Sequence, residues 1–138
     1  MELSRNIIRG IYSVGYEAPS RIQGKAVPVI LSGHDLIAQS EAGTGKTAAY
    51  VLGLLGRIDD NSKHVQAIVV TPVRELALAS SRCIERVAEF TNVKVQKCVG
   101  GTAFKEERLQ IVRNKPQVIV GTPGRILDHI QKESFSTA

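Results

Sequence analysis

The sequence predicts an α/β fold in which a parallel sheet is covered by helices. Short apolar runs alternate with segments of helical periodicity along most of the chain, which is the pattern of strands joined by crossover helices. The runs have the length and the apolar continuity of buried parallel strands. Each is followed by a turn that opens the next helix, so the carboxyl ends of the strands should meet at one edge, where open α/β sheets bind ligands.

Four apolar runs are predicted to be strands, and four longer segments are predicted to be helices. The predicted strands are residues 35–39, 67–71, 93–99 and 118–121. The predicted helices are residues 46–57, 73–90, 104–114 and 125–131. In the second of these helices, the spacing predicts a buried face formed by Leu76, Ser80, Cys83, Val87 and Phe90.

The N-terminal region has a different pattern from the rest of the chain. We predict a helical extension over residues 1–33 and the α/β domain over residues 34–138. Apolar residues at helical spacing indicate a first short amphipathic helix, and residues 23–31 suit a second, which Pro19 and Ser20 are placed to start. The apolar residues of the first helix are Leu3, Ile7, Ile8, Ile11 and Tyr12.

Composition predicts an intracellular protein with an anionic partner. The 138 residues are 43% apolar and 22% charged, with a net charge of +5 and a pI near 9.5, and such a charge favours an anionic ligand. No apolar run approaches the ~20 residues that span a membrane, and the N-terminus lacks a secretory signal. Cys83 and Cys98 are too few for a disulfide framework or a zinc site, so we expect buried thiols in a reducing compartment, cytoplasmic or nuclear.

The segment AQSEAGTGKT, residues 38–47, is predicted to bind phosphates. It follows the first predicted strand and opens a helix, where inward-pointing backbone N–H groups and the positive end of the helix favour a polyphosphate. Lys46 would reach the outer phosphates, and the Thr47 hydroxyl would bind Mg²⁺. Ser40 occupies a position where the P-loop pattern has glycine. The alternative interpretation is a glycine turn with a solvated lysine.

Three further strand ends carry sequences that suit phosphate recognition. Two of them place Thr-Pro at the start of a helix, where threonine caps and proline fits the first turn, and each has an arginine three residues after the threonine. They are Thr71-Pro72 with Arg74 and Thr122-Pro123 with Arg125. Gly100-Gly101 follows the third strand and lets a ligand backbone approach closely. Taken singly, each pair is also a common turn or helix start.

Together these segments resemble the motifs of DEAD-box RNA helicases. Residues 15–23 (GYEAPSRIQ) resemble the Q motif, residues 38–47 motif I, and residues 71–77 (TPVRELA) motif Ia. Gly100-Gly101 matches the GG element, and residues 122–125 (TPGR) match motif Ib. The order and approximate spacing agree over nearly the whole chain. The opening of the chain looks most like the translation-initiation-factor branch of the family.

The resemblance implies a RecA-like P-loop NTPase domain, a three-layer α/β sandwich with a parallel sheet that is incomplete at the C-terminus. It implies ATP and Mg²⁺ as cofactors, with Gln23 reading the adenine through an amide that both donates and accepts. Lys46 and Thr47 would be catalytic, and Thr47 would bind the metal. The residues implied to contact the nucleotide are Tyr16, Arg21, Gln23, Ala42, Gly43, Thr44, Gly45, Lys46 and Thr47.

The resemblance also implies binding to the backbone of single-stranded or duplex RNA. Contacts to phosphate and sugar are largely independent of sequence. In the family, a second RecA-like domain closes over the strand when ATP binds. The residues implied to lie along RNA are Pro72, Arg74, Gly100, Gly101, Thr122, Pro123, Gly124 and Arg125.

The chain departs from the family pattern at several positions. Val73 replaces a threonine of motif Ia, and Ala42 replaces Ser or Thr of motif I, with Glu41 in front of it. A carboxylate beside a triphosphate is unfavourable, so we expect Glu41 to face solvent. The aromatic residue found upstream of the Q motif would fall just before Met1.

The 138 residues do not include the acidic DEAD segment, the SAT motif or the second domain. Arginine fingers of that domain are worth ~10³ to 10⁵ in rate, so we expect negligible ATPase and no unwinding from these residues alone. In RecA-like domains the strand with the acidic motif lies beside the P-loop strand, and we therefore expect marginal stability.

Two other functions compete with the helicase interpretation. A non-catalytic nucleotide- or RNA-binding module is the alternative if 138 residues is the natural product, and a coding sequence that continues into a DEAD-like segment would exclude it. The other alternative is a different P-loop enzyme, and Gln23 in its GYEAPS context argues against that.

Overall fold

The computed structural model describes residues 3–43 and 45–137, which form two compact units. The first unit contains the residues through Ile58 together with Arg86–Thr91, and the second contains Asp59–Glu85 and the residues from Asn92 onward. The helices of the first unit are α1 (Arg5–Ser13), α2 (Arg21–Leu31) and α3 (Lys46–Arg57). The remaining elements are β1 (Ala67–Val70), α4 (Arg74–Val87), β2 (Val95–Cys98), α5 (Phe104–Asn114), β3 (Val118–Gly121) and α6 (Pro123–Gln131).

Both predicted N-terminal helices are present in the first unit. α1 begins after Ser4, whose side chain accepts a hydrogen bond from the Ile7 N–H at 3.3 Å. Ile7 is buried, but Ile8 and Tyr12 are exposed, so only part of the predicted apolar face is covered. α2 begins two residues earlier than predicted because Ser20 forms a capping box with Gln23, which satisfies two backbone N–H groups at once.

α2 packs directly against α3 in the first unit. A Cβ on Gly53 of α3 would lie 2.6 Å from Cγ2 of Ile30 on α2, so glycine is required where the two helices touch. Buried apolar residues of α3 complete the contact layer, among them Ala48, Ala49, Val51 and Leu55. This packing fixes the start of α3, which carries the predicted phosphate loop.

The second unit contains the predicted parallel sheet, with strand order β1-β3-β2. Val118 pairs with Ala67 on one side and with Val95 on the other, and Gly121 pairs with Val70 and Cys98. All four residues of β3 are buried, as expected for the centre of a parallel sheet. β3 has the predicted bounds, and β1 and β2 are shorter than predicted.

The predicted strand at residues 35–39 is wrong, since none of the described residues in that run belongs to a strand. A strand is defined by the ladder of hydrogen bonds to a neighbour, and apolar composition alone does not supply one. Leu36 is 41% exposed and Ile37 is fully exposed. The run therefore has the sequence of a buried strand without its burial.

The predicted face of α4 is partly wrong. Leu76 is 50% exposed, whereas its neighbour Ala77 and the more distant Ile84 are fully buried. The helical period was predicted correctly, but the buried face is rotated by about one residue. Packing against the rest of a structure decides which of two adjacent apolar residues is covered, and sequence spacing cannot.

The apolar core of the second unit lies around the central strand. It consists of Val65, Cys98, Ile111, Ile119 and Ile126, with Phe135 packed against them. Cys83 and Cys98 are not joined in a disulfide; Cys98 is buried as predicted, but Cys83 is only half-buried. Among the helices of the described residues, none has the length and apolarity to cross a bilayer.

Candidate functional site

The predicted phosphate loop leads into the start of α3 through two glycines with left-handed backbone. Gly43 has φ +80°, and Gly45, the N-cap of α3, has φ +92°. Glycine adopts this conformation without the penalty of a Cβ. The first N–H groups of α3 have no intrahelical acceptor and can bind an anion, and phosphate binding at this loop stays a prediction. Thr44 lies outside the described residues.

The two polar residues that follow the loop are both at the surface. The Lys46 ammonium group donates a hydrogen bond to the backbone carbonyl of Ser40, which bends the side chain back over the loop. Thr47 is exposed in the first turn of α3. The lysine charge therefore already lies at the loop in which phosphates are predicted to bind.

Gln23 connects the start of α2 to the phosphate loop. Its Oε1 accepts the Ser20 N–H at 2.9 Å, and its Nε2 donates to the Gly45 carbonyl at 3.3 Å. A Cβ on Gly45 would overlap Nε2 and lie 3.1 Å from Ser20 Oγ. The residue predicted to read a base thus contacts the loop predicted to hold the phosphates.

Two clefts of the first unit contain the remaining residues that were predicted to contact the nucleotide. Tyr16 and Gln23 line a largely apolar cleft of about 390 Å³. Arg21 and Gly43 line another of about 620 Å³, together with Glu41. Glu41 is exposed, as expected, although it lines this cleft, and Ala42 is exposed beside it.

The three corners predicted in the second unit meet at one edge of the sheet. The Thr71 N–H donates to the Gly121 carbonyl at 3.0 Å, and the Thr122 N–H donates to the Cys98 carbonyl at 3.2 Å. These bonds join the ends of all three strands. The predicted meeting of the corners at the carboxyl edge is therefore confirmed for β1, β2 and β3.

Both predicted arginines converge on the glycine pair that follows β2. A Cβ on Gly101 would overlap Nη1 of Arg74 and lie 3.3 Å from its Cζ. A Cβ on Gly100 would lie 3.7 Å from Nη2 of Arg125. Both glycines have positive φ, +73° and +76°. Three segments that are distant in sequence thus place two guanidinium groups against one stretch of bare backbone.

The helix starts at the two Thr-Pro corners differ from each other. α6 begins at Pro123, two residues before the predicted range, with Thr122 as its N-cap, but the Thr122 side chain makes no cap hydrogen bond. α4 begins only at Arg74, and the Thr71 hydroxyl donates to the Val73 carbonyl at 3.2 Å instead of capping the helix. The predicted threonine caps are therefore wrong. Among the other residues predicted to contact RNA, Pro72, Pro123 and Gly124 are exposed.

Sequence reasoning missed a buried polar network beside Arg125. Glu107 is 2% exposed, and its Oε1 lies 3.2 Å from Arg125 Nη1 and 2.8 Å from His129 Nε2. His129 is fully buried, and its Nδ1 lies 2.8 Å from Ser134 Oγ. The sequence did contain a signal for their burial. Glu107 lies four residues before Ile111, and His129 lies three residues after Ile126, so both are on the helix face of a core residue.

Cys98 adds a thiol to this network. Possible ligand atoms of Cys98, Glu107 and His129 all lie within 4.8 Å of one another. Burial, and next the charge of Glu107, raise the pKa of the Cys98 thiol to about 12, so the thiol is protonated at neutral pH. Glu107 Oε1 is already paired with both Arg125 and His129, and His129 Nδ1 with the Ser134 hydroxyl. We therefore interpret the cluster as a hydrogen-bond network.

The Cys98 thiol should make stability depend on alkaline pH. Its pKa rises from the ordinary value of 9.0 to about 12 on folding, so between these pH values the unfolded chain loses a proton that the folded chain keeps. The stability from this group is complete below pH 9 and is lost as the pH rises, by at most about 1.4 kcal/mol per pH unit. We expect Cys98→Ala to lose less stability than the unsubstituted chain between about pH 8 and pH 10 in urea unfolding. Equal losses would contradict this.

Fold and site together define a class of protein. A glycine loop at a helix start in one unit, and a parallel sheet with arginine at its corners in the other, are typical of P-loop nucleotide-binding α/β domains. The sequence profile of DEAD/DEAH box helicases matches residues 20–138, and the chain belongs to this family. The predicted resemblance is confirmed.

The relatives that match this chain include ATP-dependent RNA helicases named eIF4A. The chain is 41% identical to the ATP-dependent RNA helicase eIF4A of Pyricularia oryzae and 43% identical to that of Scheffersomyces stipitis, each over 99% of this chain and 34% of the relative. These names agree with the predicted branch of the family. The chain therefore spans about a third of the length of the curated relatives that it matches.

Solved structures confirm the RecA-like fold. Dbp5 of S. cerevisiae, bound to RNA and ADP BeF3, matches with a TM-score of 0.85 and 36% identity over 97% of this chain and 34% of Dbp5. A DEAD box protein from Methanococcus jannaschii matches with a TM-score of 0.87 and 35% identity over 99% of this chain and 37% of that protein. The match covers about a third of each neighbour.

Proposed function

We propose that the protein is an ATP-dependent RNA helicase in which this chain supplies the N-terminal part of the first RecA-like domain. The observation that carries the proposal is the convergence of Arg74 and Arg125 on Gly100-Gly101. Two cations against exposed backbone at a sheet edge form a surface for a chain of phosphates, which is what RNA presents regardless of its sequence. The eIF4A relatives are ATP-dependent RNA helicases by name, which supports the same assignment.

The first unit fits the phosphates of ATP. Gly43 has open space beside it for close approach to the loop backbone, Gly45 lets the chain turn into α3, α3 presents its first N–H groups, and Lys46 supplies a cation. Mg²⁺, when bound, neutralises phosphate charge. Thr47 is the residue of this chain that would hold the metal, through its hydroxyl. Dbp5 bound to ADP BeF3 supports a nucleotide at this fold.

Adenine is assigned to the cleft that Tyr16 and Gln23 line. The apolar walls of that cleft suit the faces of a purine, and the Gln23 amide can donate to one ring edge atom and accept from another. Arg21, Ala42 and Thr44 complete the proposed nucleotide contacts by their place in the sequence. The Gln23 bond to Gly45 would transmit the presence of the base to the phosphate loop.

RNA is assigned to the corners of the second unit. Exposed Pro72, Pro123 and Gly124 would lie along the strand with Thr122 and the two glycines, while Arg74 and Arg125 pair with its phosphates. Such contacts position the strand without reading its bases. The structures of Dbp5 bound to RNA support this class of partner.

Catalysis requires groups that these 138 residues do not contain. The attacking water must be oriented by an acidic segment and the transition state stabilised by arginine from a second RecA-like domain. We propose that both act in the complete enzyme, in the cytoplasm or nucleus, and that this chain alone binds without turnover. The division into an extension over 1–33 and a core over 34–138 remains part of the proposal.

The test is the hydrolysis of ATP and GTP, with and without RNA, by the product of the complete coding sequence. We expect RNA to stimulate ATP hydrolysis, and Gln23→Ala to lower the preference for ATP over GTP by about tenfold, because the adenine edge loses its paired donor and acceptor. Gln131→Ala, which removes an exposed glutamine at the end of α6, is the matched control. Turnover without RNA stimulation would refute the function, and unchanged selectivity would refute the adenine assignment.

A further inference from the structure

One edge of the Arg125 guanidinium is held by the protein. Its Nη1 donates to the Thr102 carbonyl at 3.0 Å and lies 3.2 Å from Glu107 Oε1. The side chain as a whole is 19% exposed, so the group is held from the inside and still reaches the surface. Guanidinium is planar and its donors form a rigid fork, so fixing one nitrogen limits the directions of the others.

Glu107 is itself held by His129. The same Oε1 lies 2.8 Å from His129 Nε2. An ionised carboxylate only accepts hydrogen bonds, so Nε2 carries the proton, and in the neutral ring Nδ1 accepts from the Ser134 hydroxyl at 2.8 Å. Phe104 stacks on the imidazole with ring centroids 4.4 Å apart and an interplanar angle of 17°. The ring that orients the carboxylate is thus fixed on its edge and on its face.

We propose that Glu107 and His129 are positioning residues that hold the Arg125 guanidinium in place for the phosphate backbone of RNA. The inference rests on the proposed function, in which Arg125 contacts RNA, and it extends that contact inward to two buried residues. Nη2 of Arg125 points toward Gly100, since it would lie 3.7 Å from a Cβ there. An arginine whose rotamer is set before binding loses less conformational entropy when it binds, so the affinity for RNA is higher.

Stability alone does not explain why these groups are buried. Replacing a buried ion pair by apolar residues of similar volume is often neutral or stabilising. Here the imidazole and the guanidinium both contact one oxygen of the Glu107 carboxylate. This contact lies beside the core formed by Cys98, Ile111 and Ile126. The burial of these polar groups is explained if they fix the direction of the Arg125 side chain, which extends from the network to the surface.

The sign of one charge change separates positioning from simple electrostatics. Glu107→Gln removes a negative charge near the proposed RNA site, which by charge alone would tighten RNA binding. If Glu107 positions Arg125, the same change should weaken binding by about fivefold to tenfold, because the charge-assisted bond that holds the guanidinium is replaced by a weaker neutral one. Glu106→Gln, at the exposed neighbouring position of α5, makes the same charge change outside the network and is the matched control.

The experiment measures the Kd for a labelled single-stranded RNA by fluorescence anisotropy, on the product of the complete coding sequence with an ATP analogue present. Arg125→Ala sets the full effect of losing the arginine. Glu107→Gln in the Arg125→Ala background should no longer weaken binding and should show only the charge effect that Glu106→Gln shows, since there is no guanidinium left to position. The KM for ATP at saturating RNA should be the same in all variants, and a urea unfolding curve for each reports stability separately.

His129→Phe provides a second route if Glu107→Gln does not fold. It keeps an aromatic ring against Phe104 and leaves the Glu107–Arg125 pair intact, but it removes both hydrogen bonds of the imidazole. We expect a weaker effect in the same direction, about twofold to fivefold on the RNA Kd, again absent in the Arg125→Ala background.

The possible outcomes separate the inference from the function. If the unsubstituted protein does not bind RNA, the proposed function fails. If it binds RNA and Arg125→Ala weakens binding, but Glu107→Gln and His129→Phe do not, only the positioning role fails. Equal effects in the presence and absence of Arg125 would also overturn that role, because they would show a general loss of structure.

Discussion

Lys46→Ala in the product of the complete coding sequence is expected to abolish RNA-stimulated ATP hydrolysis, with kcat lowered by about 10²-fold or more. The Lys46 ammonium group already lies over the phosphate loop, where it donates to the Ser40 carbonyl. In the proposed site it would move from that single carbonyl to the charge that develops on the outer phosphates. The measurement is the steady-state rate of phosphate release at saturating ATP and RNA.

Lys63→Ala is the charge-matched control for this substitution. Lys63 is exposed in a loop of the second unit, outside the proposed nucleotide contacts, so its removal tests the effect of one cation less on a basic protein. We expect it to retain turnover within a factor of about two. Hydrolysis by Lys46→Ala at a comparable rate would remove the phosphate role from Lys46.

Gly101→Ala is expected to weaken RNA binding by about tenfold while ATP binding stays unchanged. Gly101 has φ +76°, and a Cβ there would overlap the guanidinium of Arg74. The guanidinium is the far end of a flexible side chain, so it can move aside, but it then leaves the glycine pair on which the proposed RNA contact depends. The backbone strain adds roughly 1–2 kcal/mol against the native conformation.

Gly24→Ala serves as the control for Gly101→Ala. A Cβ on Gly24 would meet no atom within 4 Å, and its backbone lies outside the left-handed region. Gly24 is the fourth residue of α2 and lines the cleft proposed for adenine, so the variant controls for RNA binding and stability only. On stability this change should be neutral or slightly favourable, since alanine favours helix. The RNA Kd is measured by fluorescence anisotropy and the stability by urea unfolding for both variants. An unaltered RNA Kd in a folded Gly101→Ala protein would contradict the proposed placement of Arg74.

Elements with a strong local signal could be predicted from the sequence. α3, α5 and β3 have the predicted bounds because a glycine loop, a polar-to-apolar change and a continuous β-branched run mark their ends. The corners at the sheet edge followed from topology, since parallel strands bring their carboxyl ends together. The motif residues could also be identified from the sequence, because each motif is a short contiguous pattern.

What could not be predicted depends on contacts between distant segments. Residues 35–39 have the composition of a strand, but a strand also needs a neighbour. Leu76 and Ala77 are equally apolar, and only packing decides that Ala77 is buried. Glu107 and His129 would ordinarily be placed at the surface by their polarity, and they are buried because each satisfies the other.

The exposed run around Ile37 has a consequence for the solution behaviour of the chain. An isoleucine that is fully exposed beside the exposed Leu36 gives up apolar contact with water when it meets another copy, which favours self-association. A net charge of +5 opposes such contact by mutual repulsion at low salt. Added salt shortens the range of that repulsion to a few ångströms, so we expect self-association of the 138-residue chain to increase with ionic strength.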